Sequence, residues 1–202
     1  MAGKGLRGGC ARRDAILKHA LDLFAEQGYR ETNLQDVASR LGITREALYY
    51  YFDSKEAILW SLVERAGHAL LEQALPVVQS SSPADDKLSR LLGLHVRWVL
   101  QNRATYTVYF SERDVIEGER NRMMREAEHA YVRLVAGLLR EGQQTGAFLP
   151  LDATTCAMLM LGLCNSTLRW FRTDGPLTID QIADEVVAVA RVGVVSNRMG
   201  NG

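Results

Sequence analysis

Apolar side chains recur every three to four positions along most of the chain, and no segment alternates apolar and polar residues with the period of two that marks a strand. The first apolar stripe ends before Gly28, a residue type that is common just after a helix C-terminus. The pattern therefore predicts an all-α protein of nine helices. The predicted helices cover about residues 12–27, 32–41, 44–52, 55–76, 85–102, 104–116, 119–145, 152–172 and 178–196.

The second and third predicted helices are short and are separated by a turn at Gly42. Thr32 and Gln35 have the spacing of a capping box, which predicts Thr32 as the first cap, and Thr44 is the predicted cap of the next helix. Asp36 is interpreted as a local capping or orienting residue. Two short helices joined in this way are typical of a helix-turn-helix, whose second helix enters the major groove of DNA.

Six side chains around this segment have the chemistry and position for DNA contact. Helix N-termini favour a phosphate because of their unpaired backbone N–H groups and the helix dipole. An arginine binds a guanine edge or a phosphate, and a tyrosine contacts a phosphate or a thymine methyl group. Glu46 either accepts from a cytosine amino group or points away from DNA. The predicted DNA-binding residues are Thr32, Thr44, Arg45, Tyr49, Tyr50 and Lys55.

The composition limits the other classes of function. The chain has 202 residues, 47% of them hydrophobic, with 24 basic and 24 acidic residues, so its net charge does not by itself indicate DNA binding. Three cysteines without a CxxC spacing argue against a disulfide framework and a zinc site, and no cofactor is expected. The absence of nucleophile, phosphate-loop and metalloprotease motifs argues against an enzyme. The longest apolar run is too short to span a bilayer and no signal peptide is visible, so a cytoplasmic protein without a membrane partner is expected.

The residues after Lys55 form the larger part of the chain. They contain many aromatic and methionine side chains, which predict either a pocket for a small apolar ligand or ordinary core packing. The ligand-lining residues that this pattern predicts are Trp98, Tyr106, Tyr109, Phe110 and Trp170.

The last two long predicted helices carry more apolar residues than one core requires, and their small residues permit a close approach of another helix. Two such helices from each of two subunits form a four-helix interface. The sequence therefore predicts a homodimer. The predicted interface residues are Met158, Leu161, Gly162, Val186 and Ala190.

The helix-turn-helix segment resembles the signature of the TetR family of transcriptional regulators over about residues 12–63. The matching residues are Gly28-Tyr29-x-x-Thr32-x-x-x-Asp36-Val37-Ala38, Leu41-Gly42-Ile43-Thr44, Ala47-Leu48-Tyr49-Tyr50-Tyr51-Phe52 and Ser54-Lys55-Glu56. The resemblance implies a three-helix DNA-binding domain at residues 1–54 and a six-helix ligand-binding and dimerisation domain at residues 55–202. It further implies a repressor that binds a palindromic operator on double-stranded DNA as a dimer and is released by a small hydrophobic effector.

Two C-terminal segments are similar to TetR members that sense fatty-acyl or steroid-derived acyl-CoA thioesters. These segments are Arg169-Trp170-Phe171-x-x-x-Gly175-Pro176-Leu177-Thr178 and Glu141-Gly142-x-x-x-Gly146-x-Phe148. The resemblance implies that Arg169 helps to hold the polar head of the ligand. It also implies a ligand contact at Asn165, a position where those members often have tryptophan. The alternatives are a multidrug or hydrophobic-metabolite sensor of the same family and a ligand-independent DNA-binding protein.

Overall fold

The computed structural model describes the backbone of residues 3–195 and the side chains of residues 9–195. Within this range the regular structure is helical, and the one β pairing is an isolated bridge between Phe148 and Val195. The all-α prediction is confirmed. The helices are α1 (Gly3–Gln27), α2 (Leu34–Leu41), α3 (Arg45–Tyr49), α4 (Lys55–Val78), α5 (Ala84–Gln101), α6 (Arg103–Glu112), α7 (Gly118–Gln144), α8 (Ala153–Trp170) and α9 (Ile179–Val192), with a 3-10 helix at Arg113–Val115.

The predicted and observed helix ends agree within a few residues, except at the start of α1. That helix begins at Gly3 rather than near residue 12, so the predicted start is too late. Glycine lowers helix propensity, but each residue added to an existing helix gains a backbone hydrogen bond. Helix α4 extends past its predicted end at residue 76, where Pro76 lies inside the helix, and ends at Val78. The predicted end of α9 near residue 196 lies outside the described residues. No helix within residues 3–195 combines the length and apolar content needed to cross a bilayer.

The described chain folds as two compact units. The first unit contains the described residues up to Ala66 together with Ala104–Arg122, and the second unit contains Gly67–Arg103 together with the described residues from Met123 onward. Helices α4 and α7 therefore contribute residues to both units. The domain boundary expected after residue 54 stays a prediction.

The core of the first unit is built from the apolar stripes of α1 to α4. Ile16 of α1, Leu48 of α3 and Ile58 of α4 are fully buried, and Val37 of α2 is almost fully buried. Helix α1 packs against α2, and α2 packs against α3. The segment after α6 contributes the fully buried Ile116. Because helices as short as α2 and α3 are unstable alone, this burial is what fixes them.

Helix α5 is central to the second unit, where it packs against both α8 and α9. Its fully buried side chains include Leu91. Two charged contacts attach its polar positions to neighbouring helices. The Lys87 ammonium donates to the Glu141 carboxylate of α7 at 2.9 Å, and the Arg97 guanidinium donates to Asp184 of α9 at 3.2 Å.

The turn after α7 depends on two glycines. The ring of Phe148, itself buried, packs so closely on Gly142 that a Cβ at this glycine would overlap the ring. The Phe148 amide donates to the Gly142 carbonyl oxygen at 3.2 Å. Gly146 has φ +72°, a left-handed conformation that glycine adopts without steric cost. The motif formed by these three residues therefore has a packing role in this chain.

Candidate nucleic-acid interface and effector region

The N-terminus of α2 is capped by Asn33 and not by Thr32. The Asn33 side-chain oxygen accepts from the Asp36 amide at 3.0 Å, and the Asp36 carboxylate accepts from the Asn33 amide at 2.9 Å, which forms a capping box. The Thr32 side chain is buried, and its hydroxyl donates to the Gly28 carbonyl oxygen at 2.8 Å. The predicted cap at Thr32 is therefore wrong, whereas the local capping role predicted for Asp36 is confirmed. The buried Thr32 side chain is not available to a phosphate in this structure.

Helix α3 is held by its cap and by one buried side chain. The Thr44 hydroxyl accepts from the Ala47 amide at 3.2 Å, as predicted, and Leu48 is fully buried. Gly42 ends α2 in the left-handed conformation, with φ +64°, and so permits the turn between the two helices. The exposed side chains of this segment include Thr44, Arg45, Tyr49 and Tyr50.

Arg45 and Tyr49 are paired across one turn of α3. The Arg45 Nη2 donates to the Tyr49 hydroxyl at 2.9 Å, and the Arg45 Cζ lies 5.3 Å from the centroid of the tyrosine ring. The exposed Glu46 carboxylate accepts from its own backbone N–H and from the Thr44 hydroxyl, and these hydrogen bonds lower the pKa of Glu46. Glu46 is thus bonded locally at the N-terminus of α3.

Lys55, the first residue of α4, has internal partners. Its ammonium donates to the carbonyl oxygens of Tyr29 at 2.6 Å, Thr32 at 2.9 Å and Arg30 at 3.1 Å, and it lies 4.4 Å from the centroid of the Tyr29 ring. Partial burial lowers the pKa of Lys55. Because a lysine ammonium has three N–H donors, none is left for a phosphate. In this structure the Lys55 ammonium therefore anchors the loop between α1 and α2 and is not available for the predicted phosphate contact.

The same loop has a second anchor at the end of α6. The Arg30 Nε donates to the Glu112 carboxylate at 3.0 Å. Within the first unit, the residues that precede α2 are thus attached both to α4 and to α6. This placement fixes the direction from which the chain enters the helix-turn-helix.

A cleft of about 410 Å³ opens beside the C-terminal end of α3. Arg13 of α1 lies along it, donating to the Ser61 hydroxyl at 2.8 Å and stacking 4.8 Å from the centroid of the Phe52 ring. None of the residues predicted for the effector lines this cleft. Its lining residues are Arg13, Tyr49, Tyr50, Tyr51, Phe52, Asp53, Ala57, Trp60, Ser61, Glu64 and Arg120.

The seven residues predicted to line an effector pocket are divided between the two units. Those in the first unit, on α6, are Tyr106, Tyr109 and Phe110. Those in the second unit, on α5 and α8, are Trp98, Asn165, Arg169 and Trp170. Tyr109 is buried, whereas Trp170 is 53% exposed. The sequence pattern thus grouped residues that the fold distributes over two compact units.

A partly buried polar network links Asn165, the buried His95 and Tyr131 in the second unit. The Asn165 side-chain oxygen lies 3.0 Å from the His95 Nε2, and the His95 Nδ1 lies 3.3 Å from the Tyr131 hydroxyl. Because an amide oxygen only accepts, Nε2 donates and Nδ1 accepts from the tyrosine. Burial lowers the pKa of His95, which favours this neutral ring. One helical turn away on α5, the buried indole N–H of Trp98 has no partner among the described residues.

His95 and Tyr131 were not among the predicted site residues. The sequence does show His95 within the apolar stripe of a helix. Such a histidine is often a core residue whose ring nitrogens have hydrogen-bond partners, so this position alone does not indicate a site. The part of the chain that the structure describes contains no group of three or more His, Cys, Asp or Glu side chains placed to hold a metal ion.

The residues predicted for dimer contact are divided between core and surface. Leu161, Val186 and Ala190 are buried in the core of the second unit, so their assignment to a partner-facing surface is wrong. Periodicity marks an apolar face but does not say whether the same chain covers it. Gly162 is exposed. Besides Trp170, the exposed large apolar side chains of α8 and α9 are Met158, Leu159, Val189 and Val192, with exposures of 53%, 68%, 60% and 84%.

The two short helices, their glycine turn and the exposed arginine and tyrosine residues of α3 define a helix-turn-helix transcriptional regulator. Models of known protein families match most of the chain and support this class. Residues 16–62 match the model of the bacterial regulatory proteins of the tetR family, and residues 81–194 match that of the tetracyclin repressor-like C-terminal domain. The chain belongs to the TetR family of transcriptional regulators.

Individual relatives align over nearly their whole lengths. The chain is 26% identical over 191 residues to the transcriptional repressor KstR2 of Rhodococcus jostii, covering 94% of each protein. A TetR/AcrR-family regulator from Thermobifida fusca is 33% identical, with a TM-score of 0.74 over 89% of this chain and 96% of that one. The regulator AibR, solved with isovaleryl coenzyme A and operator DNA, is 26% identical, with a TM-score of 0.79 over 88% of this chain and 97% of that one.

Proposed function

We propose that this protein is a ligand-responsive repressor that binds a palindromic operator as a homodimer and is released by a small hydrophobic effector, with an acyl-CoA thioester as the favoured class. The observation that carries the proposal is the exposed face of α3, which presents Arg45, Tyr49 and Tyr50 while Leu48 anchors the helix from behind. We propose a cytoplasmic location, because the proposed target is DNA.

The proposed DNA contacts are made by the exposed residues of α3 and by Thr44 before it. Arg45 is the candidate for reading a guanine, because arginine to the O6 and N7 of guanine is the commonest specific contact in the major groove. Arg45→Ala should remove the preference at one base pair of each half-site, at a loss of about 1–3 kcal/mol. Binding to all single base-pair variants of the operator measures this, and an unchanged preference would show that Arg45 contacts phosphate alone.

The proposed dimer uses the exposed apolar side chains of α8 and α9. These two helices contact each other within one chain, and we infer that their exposed apolar residues form one surface, of a kind that monomers rarely leave open. A second copy would bury it in a four-helix interface. Two recognition helices related by a twofold axis would then lie about 34–36 Å apart, one turn of DNA.

Ultracentrifugation tests the dimer directly. We expect the full chain to sediment as a dimer and Leu159→Lys to sediment as a monomer that keeps its helical circular dichroism. Leu71→Lys is the matched control, because Leu71 is also an exposed leucine, on α4, and this variant should remain dimeric. A wild-type monomer at micromolar concentration would contradict the proposed interface.

The proposed effector site lies in the second unit, around Trp98 and Asn165. Buried polar atoms almost always have a partner, and a ligand carbonyl would satisfy the unpartnered Trp98 N–H. Arg169, one turn after Asn165 on α8, is exposed and makes no ion pair among the described residues, so its charge is available to an anionic head group. The complex of AibR with isovaleryl coenzyme A supports a thioester as the ligand.

Release of labelled upstream DNA tests the effector. We expect acyl-CoA thioesters to release it and coenzyme A alone to have no effect. Arg169→Gln should raise the thioester concentration at half-release about tenfold, the effect of one charged hydrogen bond. Arg172→Gln is the control, because that exposed arginine is already paired with Asp174. Release by other hydrophobic compounds alone would favour the metabolite or drug sensor, and release by no compound would refute the sensor role.

The proposed mechanism is a shift between two populations of the dimer. One binds the operator better and the other binds the effector better, so each ligand weakens the other by the same coupling free energy, typically about 1–3 kcal/mol. Helix α4 begins in the first unit and ends in the second, which makes it the candidate connecting element. Operator affinity measured with and without saturating effector gives the coupling free energy, and an unchanged affinity would refute the scheme.

A further inference from the structure

The partner of Arg45 is a neutral side chain, whereas several arginines around the helix-turn-helix are paired with a carboxylate. Its guanidinium contacts the neutral phenol of Tyr49, through the 2.9 Å hydrogen bond and the face of the ring. No ion pair to Arg45 is present among the described residues, whereas several arginines of the same unit are neutralised by a carboxylate. These pairs are Arg30 with Glu112, Arg40 with Glu26, Arg65 with Asp14, and Arg120 with Glu56.

A phenol holds a guanidinium without compensating its charge. A carboxylate partner would have to be displaced before Arg45 could bind the electronegative edge of a base. The adjacent carboxylate, Glu46, is bonded to its own backbone N–H and to Thr44, and it interacts with Arg45 electrostatically without forming an ion pair. Arg45 therefore keeps its full charge while its position is restricted, which suits a side chain that must recognise a base in one orientation.

The donor count allows base contact and the tyrosine contact together. A guanidinium has five N–H donors, and Tyr49 takes one of them, so four remain. Two donors are enough for the bidentate contact with the O6 and N7 of guanine. Free arginine side chains carry about 2 kcal/mol of rotamer entropy, and the contact with Tyr49 removes part of that freedom before DNA is bound.

We propose that the Tyr49 hydroxyl is a specificity-determining positioning group, which orients Arg45 for a guanine in each half-site. The inference rests on the proposed operator binding. Tyr49 thereby acts on base preference indirectly, by orienting Arg45. Loss of the Tyr49 hydroxyl oxygen should change base preference without changing the number of phosphate contacts.

The test compares base preference in four proteins: the full wild-type chain, Tyr49→Phe, Arg45→Ala and the double variant. The operator is first selected by the wild-type chain from random duplexes, and binding to every single base-pair variant is then measured. Tyr49→Phe should lower the preference at the base pair that depends on Arg45 by about threefold to tenfold, the fold-change that corresponds to the net contribution of a typical hydrogen bond. It should leave other positions and the salt dependence unchanged.

The double variant separates a positioning role from direct contact. If Tyr49 acts through Arg45, adding Tyr49→Phe to Arg45→Ala has no further effect on base preference. Tyr51→Phe is the matched control, because Tyr51 is a neighbouring, partly exposed tyrosine with no contact to Arg45 among the described residues and no proposed contact with DNA. It should leave the preference at that base pair unchanged.

Three outcomes would overturn the inference. These are an unchanged preference in Tyr49→Phe, a change at a base pair that does not depend on Arg45, and a further loss in the double variant. Failure of the proposed function gives a different result, because the wild-type chain would then select no sequence from the random pool.

Discussion

The three hydrogen bonds of Lys55 lead to a prediction that separates an internal anchor from a DNA contact. Lys55→Met keeps most of the aliphatic chain and removes the ammonium that bonds to the carbonyl oxygens of Tyr29, Arg30 and Thr32. We expect this variant to lose stability and operator affinity, because the loop that leads into α2 loses its anchor. We expect the dependence of affinity on salt to change little.

The magnitude follows from the number of bonds and their exposure. Hydrogen bonds to charged groups contribute about 1.5–3 kcal/mol each when fully shielded, but Lys55 is only partly buried and water can reach the freed carbonyl oxygens. A total loss of about 1–3 kcal/mol is expected. For a chain of this size, each kcal/mol lowers Tm by about 2–4 °C.

Thermal unfolding and a salt titration of operator binding provide the two readouts. The loss of one phosphate contact lowers the slope of log affinity against log salt by about 0.9, whereas an internal lysine should change it by less than about half of that. Lys18→Met is the matched control, since Lys18 is an exposed lysine on α1. If Lys55→Met were as stable as Lys18→Met and its slope fell by about one unit, the reasoning would be refuted.

Three further predictions concern the second unit. Gly142→Ala should destabilise the protein by about 1–3 kcal/mol in urea unfolding, because its new methyl group meets the Phe148 ring. Burial lowers the pKa of His95 below its unfolded value, so the stability due to the neutral ring is complete above the unfolded pKa and is lost as the pH falls. Between about pH 7.5 and 5.5 the wild type should lose more stability than His95→Gln, by up to about 1.4 kcal/mol per pH unit, and parallel curves would contradict this. Thr178→Ala removes a capping bond to the Gln181 amide, and it should cost about 1 kcal/mol, measured by thermal unfolding.

The helices could be predicted because their signals are local. The spacing of apolar residues depends on one helical period, and Gly42 and Gly146 show their left-handed turns by residue type. The cap of α2 was predicted one residue early, because Thr32-x-x-Gln35 and Asn33-x-x-Asp36 both have capping-box spacing. The choice is made by the burial of Thr32, a tertiary effect that no local pattern contains.

The contacts of the site were harder to predict because they join distant residues. Lys55 bonds to a loop about 25 positions earlier in the chain, and its place before a helix gave no sign of those partners. The apolar faces of α8 and α9 could be predicted, but which side lies in the core depends on their packing around α5. That packing buries Leu161 and exposes Leu159.

The return of residues 104–122 to the first unit limits how this protein can be dissected or recombined. A peptide cut after residue 54 would lack α4, Glu112 as the partner of Arg30, and the fully buried Ile116. Chimeras that graft a foreign sensor onto this DNA reader must therefore transplant two separate stretches of chain. Because a single crossover cannot exchange both stretches, an exchange of the first unit between relatives requires more than one junction.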